Sequence, residues 1–196
     1  MKEVEFYFDV GSPYSYLAYH VLPRIAAARG ARIAWRPMLL GAVFKATGNT
    51  SPAALPCKAR YLGADLGRWA RQFDVPFTFN PHFPINTLPL MRGAVGMQRR
   101  GAAELQRYLA AVFGAMFETP RDLGDAQVLA AVLQAADIDP AQVQAMNQDE
   151  AVKDELRRNT EEAVARGVFG APTYVYRDEP FWGQDRLDFL ERALAV

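Results

Sequence analysis

The chain has 196 residues, of which 51% are hydrophobic, and this ordinary globular composition predicts one domain with room for a large insertion. Its 22 basic and 22 acidic side chains cancel and no basic stripe runs along it, so we expect no nucleic-acid partner. No apolar run approaches the ~20 residues that span a bilayer, and we expect no membrane partner.

The chain opens with a β-α-β pattern. Aromatic and β-branched side chains over residues 4–10 predict a strand, which Gly11-Ser12-Pro13 ends. Apolar side chains at helical spacing predict a helix over residues 14–28, and we expect Pro23 to kink this helix or break its hydrogen-bond ladder. Alternation over residues 31–37 predicts a second strand. Because the connection is too long for a hairpin, we expect the two strands to be parallel.

A helical block follows. Between residues 50 and 167, apolar side chains fall at three- and four-residue spacing, interrupted by proline and glycine. Strand character returns only near the end of the chain. The pattern predicts helices near residues 57–73, 87–100, 102–118, 122–136 and 149–166, a short helix after Asp139-Pro140, strands at 172–176 and Phe181-Trp182 around a turn at 177–179, and a last helix over 184–195.

This order of elements predicts an α/β fold in which one domain interrupts another. We expect residues 1–49 and 167–196 to form the β-α-β and β-β-α parts of the first domain, and residues 50–166 to form an inserted, all-helical domain. No linker composition and no internal repeat flank the helical block. We therefore expect it to share the core of the first domain.

Cysteine and histidine usage limits the redox and metal chemistry. Cys57 is the single cysteine, so the chain has no internal disulfide and cannot cycle a dithiol. A lone cysteine is more often a small buried apolar residue than a reactive thiol, and this is our interpretation of Cys57. One cysteine and two histidines predict no metal site. The N-terminus shows no charged leader and no apolar h-region, so we expect a cytoplasmic location.

The run Gly11-Ser12-Pro13-Tyr14-Ser15 joins the first strand to the first helix. Ser12 is placed to cap the helix, with Pro13 as its first residue, and capping alone would explain the pair. The same geometry directs unpaired N–H groups and the positive end of the helix dipole at any anion beside Ser12. Neither His20 nor His82 is arranged to make Ser12 a nucleophile. The serine is therefore suited to holding a sulfur of another molecule as thiolate, below the usual thiol pKa of about 8.5.

A second turn, Val168-Phe169-Gly170-Ala171-Pro172-Thr173, leads into the third predicted strand. Proline is allowed at the first position of a strand, so Pro172 is explained by an ordinary strand start. The alternative is a cis-proline whose preceding residue, Ala171, offers its backbone N–H and C=O to an extended peptide.

Taken together, these segments resemble the branch of the thioredoxin-like superfamily that contains DsbA-like oxidoreductases, kappa-class glutathione transferases and 2-hydroxychromene-2-carboxylate isomerases. The oxidoreductases open the first helix with Cys-Pro-His-Cys, where this chain has Ser12-Pro13-Tyr14-Ser15. The kappa-class and isomerase members are matched in order across nearly the whole chain, by Phe6-Tyr7-Phe8-Asp9, Ser12-Pro13-Tyr14-Ser15-Tyr16-Leu17-Ala18, Gly48-Asn49, Lys58, Tyr61-Leu62, Asp65-Leu66, Arg68-Trp69-Ala70, Val168-Phe169-Gly170-Ala171-Pro172-Thr173 and Trp182-Gly183-Gln184-Asp185-Arg186-Leu187.

The resemblance implies a thioredoxin-like fold with a large helical insertion, and a glutathione site. In such a site Ser12 would hydrogen-bond the cysteinyl sulfur, and Ala171, before a cis Pro172, would pair through its backbone with the cysteinyl residue. The γ-glutamyl end would be held at the start of the last helix, where a carboxylate can answer an ammonium group. The remaining positions that the resemblance implies for glutathione are Asn49, Lys58, Gln184 and Asp185. Asp185 and Lys58 also have plain interpretations, as a charge that complements the helix dipole and as a solvated surface charge.

The stretch over residues 80–89 departs from what the resemblance leads us to expect in naphthalene-pathway isomerases. We expect this stretch near the electrophile pocket, with Tyr14, His82 and Asn86 as possible substrate contacts. A loop histidine or asparagine that bonds its own backbone is the alternative interpretation.

The function implied is a glutathione-dependent cis-trans isomerase that acts on an aromatic enone acid by reversible thiolate addition. A kappa-class-like glutathione transferase or peroxidase acting on other electrophiles uses the same thiolate and is the first alternative. The second is a non-catalytic thioredoxin-like binding protein. The resemblance also implies a homodimer.

Overall fold

The computed structural model describes all 196 residues. The sheet has four strands: β1 (Lys2–Phe8), β2 (Ala31–Pro37), β3 (Thr173–Tyr176) and β4 (Glu179–Trp182). They form one mixed sheet in the order β2-β1-β3-β4. As the crossover length predicts, β1 pairs parallel with β2; it pairs antiparallel with β3, which pairs antiparallel with β4.

Nine helices surround this sheet. Seven of them lie between β2 and β3, and the last six of these seven fall in the block that the sequence predicts to be helical. No helix is both long enough and apolar enough to cross a bilayer. The helices are α1 (Pro13–Ala28), α2 (Leu40–Thr47), α3 (Pro56–Phe73), α4 (Leu88–Arg100), α5 (Ala102–Phe117), α6 (Ala126–Ala135), α7 (Pro140–Gln148), α8 (Glu150–Ala165) and α9 (Leu187–Ala195), with short 3-10 turns at Pro52–Ala54 and Gln184–Arg186.

Alternating side chains of β1 serve two cores. Phe6 and Phe8 face the larger core, where Phe8 packs 6.4 Å from Phe113 of α5, measured between ring centroids. Tyr7 faces the other side of the sheet and packs in a smaller cluster with Val43 of α2 and residues of α8. Helices of the block between β2 and β3 therefore complete the core on both faces of the sheet, which explains why this block needs no linker.

Helix α1 does not end at Pro23, which lies on the exposed face, where water can take the place of the hydrogen bond that proline removes. Two other points of local structure differ from the prediction. Helix α2 was not predicted; it is short, and no side chain caps its N-terminus. The last helix begins as a 3-10 turn over Gln184–Arg186 before α9, a common way for a helix to start.

Candidate active site

Ser12 joins the turn after β1 to the turn before β3. Its hydroxyl oxygen accepts a hydrogen bond from the Ser15 N–H at 3.1 Å, so it caps α1, and Pro13 is the first helical residue. The hydroxyl also donates to the carbonyl oxygen of Ala171 at 3.0 Å. The Ala171–Pro172 peptide bond is cis. The predicted cap and the predicted cis-proline therefore meet at one point.

A cleft with a volume of about 600 Å³ opens beside this point, within the range of small-ligand pockets. Residues from α1, α2, α3, the two turns and the start of the last helix line it. Of the predicted site residues, the cleft brings together Ser12, Tyr14, Asn49, Lys58, Ala171, Pro172, Gln184 and Asp185, and it does not include His82 or Asn86.

We group the polar lining residues Lys58, Asn49 and Asp185 as the polar end of the cleft. Lys58 approaches from α3, and Asp185 lies in the 3-10 turn before α9, where its carboxylate oxygen is 2.6 Å from a guanidinium nitrogen of Arg186. The amide nitrogen of Asn49 donates to the carbonyl oxygen of Phe169 at 2.9 Å, which fixes the segment before α3 against the turn that carries Ala171. This end therefore offers one free cation, one carboxylate with a guanidinium neighbour, and the N-terminus of a helical segment.

Helix α3 presents one face to the cleft, through Lys58, Tyr61, Leu62 and Asp65 at positions i, i+3, i+4 and i+7. The Tyr14 hydroxyl donates to a carboxylate oxygen of Asp65 at 2.6 Å and thereby links the start of α1 to α3. Burial, together with this carboxylate, holds the pKa of Tyr14 well above its usual value. The Tyr14 hydroxyl therefore stays protonated and donates to Asp65.

We group the apolar lining residues Leu40, Phe44 and Phe83 as the apolar end of the cleft. Leu40 and Phe44 reach it from α2, and Phe83 reaches it from the loop before α4. This loop is fixed by Asn80, which is fully buried: its side-chain nitrogen donates to the Arg121 carbonyl oxygen at 2.9 Å. Leu40, Phe44 and Phe83 were not predicted as lining residues, because an apolar side chain alone carries no signal of a pocket; of the three, only Phe83 lies in the stretch 80–89 that was expected near the electrophile.

His82 and Asn86 lie next to this apolar end but outside the cleft, and both are exposed. A ring nitrogen of His82 is 3.7 Å from a carboxylate oxygen of Asp122. The side-chain oxygen of Asn86 accepts a hydrogen bond from the Leu88 N–H at the start of α4. Asn86 thus makes the local backbone contact expected for a polar loop residue, whereas the His82 side chain faces a carboxylate that is distant in sequence.

Two further positions bear on redox chemistry. Ser15 is fully buried, and its hydroxyl oxygen has no hydrogen-bond partner. The interpretation of Cys57 as a buried apolar residue is wrong, because its side chain is exposed near the N-terminus of α3. Neither of the two positions that bear cysteine in the oxidoreductases carries sulfur here, so the cleft holds no dithiol.

Residues 3–195 match a family described as the DSBA-like thioredoxin domain. The chain belongs to this family. Within the family, a 2-hydroxychromene-2-carboxylate isomerase of Sphingobium xenophagum is 33% identical over 196 residues, covering 98% of each chain. A glutathione S-transferase kappa 1 of Caenorhabditis elegans is 29% identical over 202 residues, covering 97% of this chain and 89% of the relative.

Solved structures agree with this branch of the family. The structure of a 2-hydroxychromene-2-carboxylate isomerase superposes with a TM-score of 0.85 at 32% identity, covering 98% of this chain and 94% of that one. A probable DsbA oxidoreductase of Streptomyces coelicolor, at 20% identity and a TM-score of 0.77, has the same fold. The thioredoxin-like fold with a helical insertion is thus confirmed, and the relatives named as isomerases and transferases support an enzymatic role.

Proposed function

We propose that this chain is a glutathione-dependent cis-trans isomerase of the 2-hydroxychromene-2-carboxylate type, acting on a small aromatic enone acid. The observation that carries the proposal is the position of the Ser12 hydroxyl, at the N-terminus of α1 and 3.0 Å from the Ala171 carbonyl oxygen, on the wall of a cleft of about 600 Å³. A hydroxyl donor and the positive end of a helix both favour a negatively charged sulfur.

The pair Ser12 and Ala171 suits a cysteinyl residue because each group can exchange its partner. When the Ser12 hydroxyl turns to donate to sulfur, the Ala171 carbonyl becomes free to accept the cysteinyl N–H. Ala171 lies before β3 and outside its paired register, so the sheet does not use this backbone group. One bond within the protein is thus replaced by two bonds to the ligand, and neither group of the pair is left without a partner, which is why the exchange costs little.

The polar end of the cleft suits the two ends of glutathione. Asp185 would pair with the γ-glutamyl ammonium group, and the N–H groups that begin the last helical segment would take the neighbouring carboxylate. Lys58 would pair with the glycyl carboxylate. Ser12, Ala171, Lys58 and Asp185 all line the same cleft, so one extended tripeptide could meet them together.

The apolar end of the cleft suits a flat ring. Leu40, Phe44 and Phe83 would hold the electrophile and keep water from the reacting atoms. Glutathione would supply a thiolate whose electron pair forms a bond to the activated double bond and is returned when that bond breaks, so that rotation in between exchanges cis for trans. The task of the protein is to stabilise the thiolate through Ser12 and to hold the ring beside it.

A second candidate is a kappa-class-like glutathione transferase. It is favoured by the relatives of that name and by the apolar character of Leu40, Phe44 and Phe83, which would also accept an uncharged electrophile. Assays of hydroxybenzylidenepyruvate isomerisation and of aryl halide conjugation, run side by side, separate the two. The proposal expects the isomerisation to be the faster reaction.

The decisive experiment compares wild-type protein with Ser12→Ala and Ser12→Thr. Titration of glutathione, followed by calorimetry and by the ultraviolet absorbance of thiolate, should give a bound thiol with a pKa below the usual value of about 8.5. Ser12→Ala should bind glutathione without lowering that pKa and should lose isomerisation, whereas Ser12→Thr, which keeps a hydroxyl, should retain part of both. If no variant binds millimolar glutathione, the chain is a non-catalytic relative and the proposal is wrong.

A further inference from the structure

Asp9 is a buried carboxylate close to the turn that carries Ser12. It lies directly after β1, it is 1% exposed, and no cation pairs with it. One oxygen accepts from the Gly11 N–H at 2.8 Å; the other accepts from the Leu40 N–H at 2.9 Å and from the Thr87 hydroxyl at 3.1 Å. Burial raises the pKa of Asp9 while these three donors oppose the rise. A carboxylate in such a place is costly unless its hydrogen bonds are made.

The three donors belong to three segments that each contribute a residue to the lining of the cleft: Gly11, Leu40 and, from the loop before Thr87, Phe83. Gly11 precedes Ser12, whose N–H donates to the Asp9 backbone carbonyl at 3.0 Å. Leu40 is the first residue of α2 and lines the cleft itself. Thr87 closes the loop that carries Phe83 and precedes α4. One carboxylate therefore connects the thiolate-binding turn to both walls that would hold the electrophile.

The approach between two of these segments is close. A Cβ atom added to Gly11 would lie 2.6 Å from the Cγ2 atom of Thr87, so the turn and the loop touch at this point. Because glycine has no Cβ, the turn can approach Thr87 this closely while the Asp9 carboxylate accepts hydrogen bonds from both Gly11 and Thr87. The width of the apolar end thus depends on a contact that the Asp9 side chain holds together.

We propose that Asp9 is a positioning residue that fixes the width of the acceptor end of the cleft, by holding Leu40 and the Phe83 loop against the Ser12 turn. The assignment of this end to the electrophile rests on the proposed function, while the role of Asp9 in its width does not. Asp9 would not contact the substrate. Its removal should therefore change which electrophiles fit, and should leave glutathione binding intact.

A reporter thiol tests this width without glutathione. Ser12→Cys in a Cys57→Ser background places one thiol at the end of the cleft, and its alkylation is measured with iodoacetamide, which is small, and with N-phenylmaleimide, which is flat and bulky. Asp9→Asn puts an amide N–H₂ against at least one N–H donor, so the segments should separate. The ratio of bulky to small alkylation rates should rise at least ~5-fold, a change well above assay error.

Asp139→Asn is the matched control, because Asp139 is an exposed helix cap that asparagine replaces well. In Asp139→Asn the ratio of bulky to small alkylation rates should stay within about twofold of the ratio in the unsubstituted reporter protein. An unchanged or lowered ratio in folded Asp9→Asn protein overturns the proposal. If Asp9→Asn does not fold, Thr87→Val, which removes one donor, should raise the ratio and Thr87→Ser should restore it; equal ratios in these two variants overturn it.

The same substitution in the Ser12 protein separates this inference from the proposed function. Asp9→Asn should keep the glutathione Kd within about twofold and raise the KM for the electrophile, because Asp9 contacts none of the side chains assigned to glutathione. If Asp9 only stabilised the fold, Asp9→Asn would instead weaken the binding of glutathione and of the electrophile in parallel. Absence of glutathione binding in the wild-type protein would refute the function alone, since the reporter ratio would still decide the role of Asp9.

Discussion

The hydroxyl of Ser12 and the carbonyl oxygen of Ala171 lie 3.0 Å apart across 159 positions of the chain. The same hydroxyl oxygen accepts the Ser15 N–H at 3.1 Å, so Ser12 satisfies both its donor and an acceptor position. Ser15, one helical turn later, is buried with a hydroxyl that has no partner. The two serines stand where the oxidoreductases have cysteines, and they differ in energy. The Ser12 hydroxyl makes stabilising hydrogen bonds, whereas the Ser15 hydroxyl is buried without a partner, which is destabilising.

These two serines should respond differently to alanine. Ser12→Ala removes a helix cap and the bond to Ala171, and we expect the free energy of unfolding to fall by about 1–2 kcal/mol. Ser15→Ala removes a buried hydroxyl without a partner, and we expect the free energy of unfolding to stay within about 0.5 kcal/mol or to rise. Urea unfolding of both variants measures the difference. Equal decreases in the free energy of unfolding of Ser12→Ala and Ser15→Ala would contradict this prediction.

The bond from Tyr14 to Asp65 should hold helix α3 to the first helix. Tyr14→Phe removes a donor to a carboxylate, so we expect a loss of about 1–2 kcal/mol in the free energy of unfolding. Because α3 carries Lys58, glutathione binding should also weaken in this variant. Tyr19→Phe is the control: Tyr19 lies on the same helix and packs against the core, and its hydroxyl makes no hydrogen bond. If Tyr19→Phe lowered the free energy of unfolding as much as Tyr14→Phe does, the loss could not be assigned to the hydrogen bond between Tyr14 and Asp65.

The sequence predicted those parts of the fold and site that local chemistry determines. The apolar period of α1, the strand pattern of β1 and the capping pair Ser12-Pro13 are all local signals, and each has its expected place. Helix α2 gave no such signal, since its N-cap residue, Leu39, has no side chain that can accept a backbone hydrogen bond. The sequence therefore marks only the C-terminus of α2, where Gly48 adopts the left-handed conformation, and not its N-terminus.

Other features depend on contacts between distant segments. Phe83 reaches the cleft because Asn80 is tied to Arg121, 41 positions later, and no local pattern encodes that bond. The hydrogen bonds of Asp9 to Leu40 and Thr87 are also contacts between distant segments, and the sequence shows only that Asp9 follows a strand. Exposure of Cys57 likewise follows from how α3 packs, and the residue type alone pointed the other way.

The carboxylate of Asp185 should matter only to ligands that carry an ammonium group. We expect Asp185→Asn to raise the Kd for glutathione about tenfold, the loss of one charge-assisted bond at a half-exposed position. Binding of the analogue that lacks the amino group should not change. Asp188→Asn is the matched control, because Asp188 pairs with Arg192 within α9 and does not line the cleft. Calorimetry with both ligands gives the comparison, and a similar loss for both would place the ammonium group elsewhere.

The stability of the protein should fall in mild acid because of His20. Its Nε2 atom is buried without a hydrogen-bond partner and is 3.6 Å from a carboxylate oxygen of Glu118. Burial lowers the pKa of His20 in the folded protein, although Glu118 opposes this. The unfolded chain then binds a proton more readily than the folded one, so the free energy of unfolding should decline as the pH drops below about 6.5.

Two variants test the role of His20. His20→Gln has no group that titrates here, so the decline of stability between about pH 7.5 and pH 5.5 should become shallower. Glu118→Gln removes the charge that favours protonated His20, so the pKa of His20 should fall further and the decline should become steeper. Urea unfolding at the two pH values measures both slopes. Because the two variants must move the slope in opposite directions, parallel shifts in both would assign the acid sensitivity to other groups.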